Sequence, residues 1–104
     1  MVQEKIVMTV SVIISTMNRK STLLRLIKNL AEQELTPDEV IIIEAGDVNW
    51  NENMISKNLQ TNYIFISAID TSLAKARDIG RMKSCGEILV FLDDDVILPK
   101  NYIL

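Results

Sequence analysis

The chain has 104 residues, 48% of them hydrophobic and 24% charged, which suits one globular core and not two. Eleven basic against fourteen acidic residues give a net charge of −3 with no basic run, so a nucleic-acid footprint is excluded. There is no histidine and a single cysteine, Cys85, which excludes an internal disulfide framework, a Ser-His-Asp centre and a histidine-rich metal site.

Met1 to Thr9 is a weakly patterned leader. Val10-Ser11-Val12-Ile13-Ile14-Ser15 is a β-branched run with almost no alternation, the signature of a strand covered on both faces. Thr16-Met17-Asn18-Arg19 breaks it. A helical stripe follows, with Leu23, Leu26, Ile27, Leu30 and Ala31 on one side and Arg25, Lys28, Asn29 and Glu32 on the other. Asn18 or Ser21 is the expected N-cap, and Thr36-Pro37-Asp38 the expected stop.

Val40 to Ile43 predicts a second buried strand, closed by Glu44-Ala45-Gly46-Asp47. Asn49 to Asn53 is turn-like around Trp50, and a short helix is expected from Asn53 to Leu59. Tyr63 to Ile66 predicts a third strand, and Asp70 a turn. Ser72 is the expected cap of a second helix whose Leu73, Ala76, Ile79 and Gly80 face inward. Ala76 and Gly80, four apart, let that helix approach a sheet closely. Gly86 fits the position just past its end, and Cys85 beside it reads as a small structural thiol. Ile88 to Leu92 predicts a fourth strand running directly into Asp93-Asp94-Asp95, and Pro99 begins something new.

Strands alternating with helices predict an α/β fold: a Rossmann-like, three-layer α/β/α arrangement with a mostly parallel sheet of about four strands. The expected spatial order is 3-2-1-4, with the first strand central, in a single domain over 1–104. The longest apolar runs fall far short of the ~20 residues a membrane-spanning helix needs. No integral membrane segment and a reducing, cytoplasmic setting are the corresponding expectations.

In such sheets ligands bind beyond the C-terminal ends of the strands, near the reversal of strand order. Thr16 to Arg19, Glu44 to Asp47 and Asp93 to Asp95 all fall there. Three adjacent carboxylates raise one another's pKa when close, and a hard divalent cation relieves that repulsion. The competing reading is a solvated turn with one aspartate capping the next element.

Three segments in this order resemble family 2 glycosyltransferases. Val10 to Arg19 is similar to the family's V-S-V-I-I-P-T-Y-N-R opening. Ser72 to Gly80 is similar to its A-R-N-x-G helix. Gly86 to Asp95 is similar to its G-E-x-I-x-F-L-D-x-D strand. The resemblance spans nearly the whole chain and implies a GT-A fold that binds a nucleoside-diphosphate sugar of the UDP or GDP type. Thr16 and Asn18 would then border the nucleotide, and Glu44 would stand where an acid contacts base or ribose. Asp93 would face ribose or metal, and Asp95 would ligate Mn²⁺ or Mg²⁺ against the diphosphate. Arg77 is weighed as a diphosphate contact or an aspartate-ordering residue against a plain arginine on an exposed helix edge. Arg19 and Lys20 are weighed as phosphate contacts against plain solvated cations, and Trp50 as a stacking platform against loop packing. Ser15, Met17, Glu44, Ala45 and Asp78 depart from the family's usual residues.

No catalytic residue is expected within the chain, because the resemblance places the general base in a C-terminal acceptor half beyond the D-x-D motif. Little or no transferase activity is therefore expected of these residues alone. Homo-oligomerisation through an exposed sheet edge or open face is a further expectation. A non-catalytic nucleotide-binding or scaffolding module remains an alternative. Aspartate-based phosphotransfer domains fit less well, since they place their acidic motif early in the domain rather than last.

Overall fold

The computed structural model describes residues 8–55 and 61–103, and only the backbone of Glu52. The first apolar run forms β1 (Val10–Thr16). It pairs in parallel with β2 (Glu39–Glu44) on one side and with β4 (Ile88–Asp93) on the other. β3 (Asn62–Ser67) pairs in parallel with the far side of β2, giving the order β3-β2-β1-β4. This is the expected order, and each strand outgrows its expected bounds by only one or two residues.

Helix α1 (Lys20–Ala31) lies on one face of the sheet and α2 (Leu73–Lys83) on the other. That arrangement explains why β1 and β2 carry no polar alternation. Val10, Val12, Ile14, Val40 and Ile42 point into a core with Leu23, Leu26, Ile27 and Leu30 of α1. The intervening Ile13, Ile41 and Ile43 point the opposite way, into a smaller core with Ala76 of α2. A strand with both faces covered is apolar at every step. Among the described residues no helix is long and apolar enough to cross a membrane.

Local chemistry departs from expectation at several element ends. Neither Asn18 nor Ser21 caps α1. The cap position is Arg19, without a side-chain bond, because the Asn18 side-chain oxygen instead accepts the Asp47 amide. The helix stops at Ala31, before Thr36-Pro37-Asp38 is reached. The Asp38 carboxylate accepts the Val10 amide at 2.6 Å and so aligns the starts of β1 and β2. Ser72 does cap α2, accepting from the Lys75 amide at 3.2 Å. Leu73 is half exposed, so the inward stripe of α2 begins one turn later, at Ala76. Gly80 allows the expected close approach, since a Cβ there would collide with Ile13 and meet Ile43.

Gly86 is not the left-handed residue past the end of α2; no described glycine has positive φ. Ser84 closes that helix by donating its hydroxyl to the Arg81 carbonyl. Gly86 is needed for space, because a Cβ would strike the Ser11 hydroxyl and amide. Its own amide donates to that hydroxyl, which in turn donates to buried Glu39. Of the expected helix from Asn53 to Leu59, a 3₁₀ turn at Glu52–Met54 is found; residues 56–60, like 1–7 of the leader, lie outside the described residues.

Beyond β4 the chain crosses back over α1. The Gln33 side chain donates to the Pro99 carbonyl and accepts the Ile103 amide, and Asn29 accepts the Leu98 amide. Leu98 and Ile103 thereby join the α1-side core. β4 is a free edge of the described sheet, with Ile88 and Phe91 each 40% exposed.

Candidate functional site

The parallel strands deliver three loops to one rim, as their polar endings implied. Thr16 to Arg19 leaves β1, Glu44 to Asp47 leaves β2, and Asp93 to Asp95 leaves β4. Two buried carboxylates knit these loops together. Glu44 is 1% exposed, and both of its oxygens are taken. Oε2 accepts the Asn18 amide at 3.0 Å and the Gly46 amide at 2.8 Å, while Oε1 accepts the Trp50 indole N–H at 2.8 Å. A buried carboxylate needs such partners, since an unpaired one would carry a large desolvation penalty.

Asn18 completes this junction from the other side. Its φ of 53° is left-handed, a region asparagine tolerates better than most residues. That turn presents its backbone N–H to Glu44 and its side-chain oxygen to the Asp47 N–H at 2.9 Å. Gly46 lies directly beneath the Asn18 side chain, where a Cβ would overlap it. The backbone bond from the Ala45 amide to the Thr16 carbonyl, 2.8 Å, closes the same contact.

The second buried carboxylate is Asp94, the middle member of the acidic triplet. It is 6% exposed, accepts the Thr16 hydroxyl at 2.8 Å and pairs with the Arg19 guanidinium at 3.1 Å. Asp93 and Asp95 instead face solvent. The Arg77 guanidinium stands 3.7 Å from Asp93, and Arg25 donates to the Asp95 carbonyl. The triplet thus avoids its own repulsion by direction: one charge turns inward to an arginine, and two remain in water where Coulomb coupling is weak.

The expected residues fall into place unevenly. Thr16, Asn18, Glu44, Asp93 and Asp95 line the same rim, and the exposed Arg77 stands beside Asp93. The Thr16 hydroxyl and both Glu44 oxygens are, however, already bonded within the protein. Arg19 pairs with Asp94, and Lys20 opens α1. Trp50 is largely buried against Phe65, ring centroids 6.4 Å apart and nearly parallel. Asp94 is the residue that sequence reasoning passed over. The sequence signal for it lay in its middle position, which the strand alternation turns opposite to its neighbours.

At the Glu44 junction lies an open crevice of about 330 Å³, lined by Glu44, Trp50, Phe65, Ile66 and Ile69 together with Asp47 and Asn49. A metal is a separate question. Among the described residues no group of three or more His, Cys, Asp or Glu is gathered tightly enough to hold an ion alone. Asp93 and Asp95 both face solvent, and carboxylate oxygen is the ligand type that Mg²⁺ and Mn²⁺ generally take.

The glycosyl transferase family 2 model matches residues 11–104, nearly the whole chain. The chain belongs to that family. Two solved structures of this kind of fold are similar to it. S. aureus TarS superposes with a TM-score of 0.68 at 21% identity, covering 90% of this chain and 18% of that one. Residues 1–349 of S. aureus TarS give 0.67 at 21% identity, covering 89% of this chain and 29% of that one. The chain thus spans less than a third of either, and at this identity the likeness establishes the α/β fold. No curated protein sequence matches the chain. Of the segments that resemble family 2, the first and last supply two of the rim's three loops, and the middle one supplies Arg77 beside Asp93.

The division of labour in the acidic triplet has a measurable consequence. Asp94→Ala removes a charge-assisted hydrogen bond and strands a buried hydroxyl, which should lower unfolding free energy by about 1–3 kcal/mol. Asp93→Ala and Asp95→Ala, at exposed positions, should each stay within about 0.5 kcal/mol of the parent. Urea unfolding of the three variants checks this. A larger loss for Asp95→Ala than for Asp94→Ala would contradict the assignment.

Proposed function

We propose that this family 2 domain binds a nucleoside-diphosphate sugar of the UDP or GDP type across the rim, as the donor half of a glycosyl transfer. The observation that carries this reading is the meeting of the three family motifs on one rim, with Asp93 and Asp95 left facing solvent beside it. The base would rest near the crevice between the β2 and β3 ends, where Trp50, Phe65 and Ile69 supply apolar wall and Asp47 and Asn49 supply polar groups. The diphosphate would lie toward β4. Asp93 and Asp95 would hold Mn²⁺ or Mg²⁺, which when bound supplies positive charge to the diphosphate leaving group.

The rim residues then divide the work among them. Asp94, held by Thr16 and Arg19, fixes the turn that bears Asp93 and Asp95. Arg77 steers the Asp93 carboxylate without reaching hydrogen-bond distance, which leaves that carboxylate able to turn toward a ligand. The rim as a whole holds the donor in one orientation, and that positioning is the domain's contribution to rate. Deprotonation of the acceptor is assigned to no residue here. A reducing, cytoplasmic setting suits the exposed, unpaired Cys85 thiol.

The β4 edge is the surface through which a second copy of the chain would extend the sheet, since Ile88 and Phe91 are exposed there and no strand among the described residues pairs with its outer side. Light scattering across a concentration series should show mass rising with concentration. A constant monomer mass would remove this interface.

Calorimetry with UDP, GDP and their sugars, with and without Mn²⁺, tests the donor site directly. Binding should require the metal in the parent protein and be lost in Asp95→Ala. Equal heats in the two proteins would take Asp95 out of the site, and no heat with any nucleotide would overturn the reading.

A further inference from the structure

We infer that Glu44 is a positioning residue: it latches the loop after β1 to the loop after β2, and donor affinity depends on that latch. The inference rests on the proposed donor site and specifies how that site keeps its shape. It adds a structural role to the acid that the family resemblance places against base or ribose.

A carboxylate offers about four acceptor positions, and in Glu44 three are taken within the protein. Oε2 receives two backbone N–H groups, from Asn18 and Gly46, and Oε1 receives the Trp50 indole. The residue is 1% exposed and ends β2, pinned in register against Thr16 of β1. Turning it outward would strand three donors at once, each with its own desolvation penalty.

The three donors belong to the segments a nucleotide would have to fit between. Asn18 sits in the loop after β1, Gly46 in the loop after β2, and Trp50 beyond it at the wall of the crevice. The left-handed turn at Asn18 returns the connection, because its side chain accepts the Asp47 amide. One carboxylate and one amide side chain thus cross-link the two loops in both directions. The extra methylene of glutamate lets the carboxylate reach past the strand end to the indole while still receiving both amides. Asp47, in the same crevice, gives only its backbone N–H to the latch.

Hydrogen-bond arithmetic gives a test that separates a latch from a ligand contact. Glu44→Gln supplies one oxygen and one NH₂ group where two acceptors are needed. In either orientation the NH₂ faces a donor: the Trp50 indole one way, the two backbone amides the other. Trp50→Phe deletes the indole N–H, so a glutamine oxygen can then serve Asn18 and Gly46 without conflict. Nucleotide affinity by calorimetry and the unfolding midpoint are measured for the parent, both single variants and Glu44→Gln/Trp50→Phe.

The expected result is a loss of about tenfold in UDP or GDP affinity, with a lower midpoint, in Glu44→Gln. Both should recover, at least in part, in the double variant. If Glu44→Gln fails to fold, recovery of a folded double variant is the same outcome. Parent-like behaviour of Glu44→Gln, or a double variant no better than it, overturns the latch, because a lost ligand contact cannot be restored by changing Trp50. Absence of nucleotide binding by the parent would overturn the donor-site reading instead, while the midpoints still decide the latch.

Discussion

The structure turns on how the chain leaves β1. That strand lies at the centre of the sheet, and its outgoing loop runs between two buried carboxylates on neighbouring strands, Glu44 at the end of β2 and Asp94 just past β4. One holds the Asn18 amide and the other the Thr16 hydroxyl, and Arg19 follows Asp94 as its counter-charge. Because parallel strands all point their C-termini the same way, the pairing of β1 with β2 and β4 brings these acids to the same rim without further folding. Both anchors are charges buried with their partners supplied. The loop is therefore fixed by a few directed bonds rather than by apolar packing, and the apolar packing is confined to the two cores below it.

The same constraint sorts the acidic residues. Alternation along β4 and its turn sends Asp94 inward and leaves Asp93 and Asp95 in solvent, so one triplet provides a structural anchor and two free carboxylates. The repulsion argument for a cation is weaker than the bare sequence suggests, since Arg19 neutralises the inner charge. What remains is two exposed carboxylates, on which the proposed metal site rests.

The fold was legible in the sequence to the level of strand order. Ile13, Ile41 and Ile43 interleaved with Val12, Val40 and Ile42 gave runs too apolar for any strand with a wet face, and the alternation with helical stripes implied parallel crossovers. The failures were all at element ends, where side chains serve partners distant in sequence. Asn18 has the chemistry of a helix cap, but the Asp47 amide, remote in the chain, claims its side chain. Gly86 looked like a helix terminator, but it is glycine because Ser11 of β1 needs the space. Asn29 read as solvent-facing on the helix, yet the returning segment from Leu98 to Ile103 engages both it and Gln33. At the site, motif resemblance located the rim and alternation marked Asp94 as the odd one of the triplet, while its partners Thr16 and Arg19 depended on register.

Buried carboxylates clamp the loop after β1, and amide hydrogen exchange reads that clamp directly. The Asn18 and Gly46 backbone N–H groups have no secondary-structure partners, yet both donate to Glu44. Resolved by NMR, they should exchange far more slowly than the amides of exposed loop residues and approach the rates of β1 and β2. Exchange of both at ordinary loop rates would contradict the clamp.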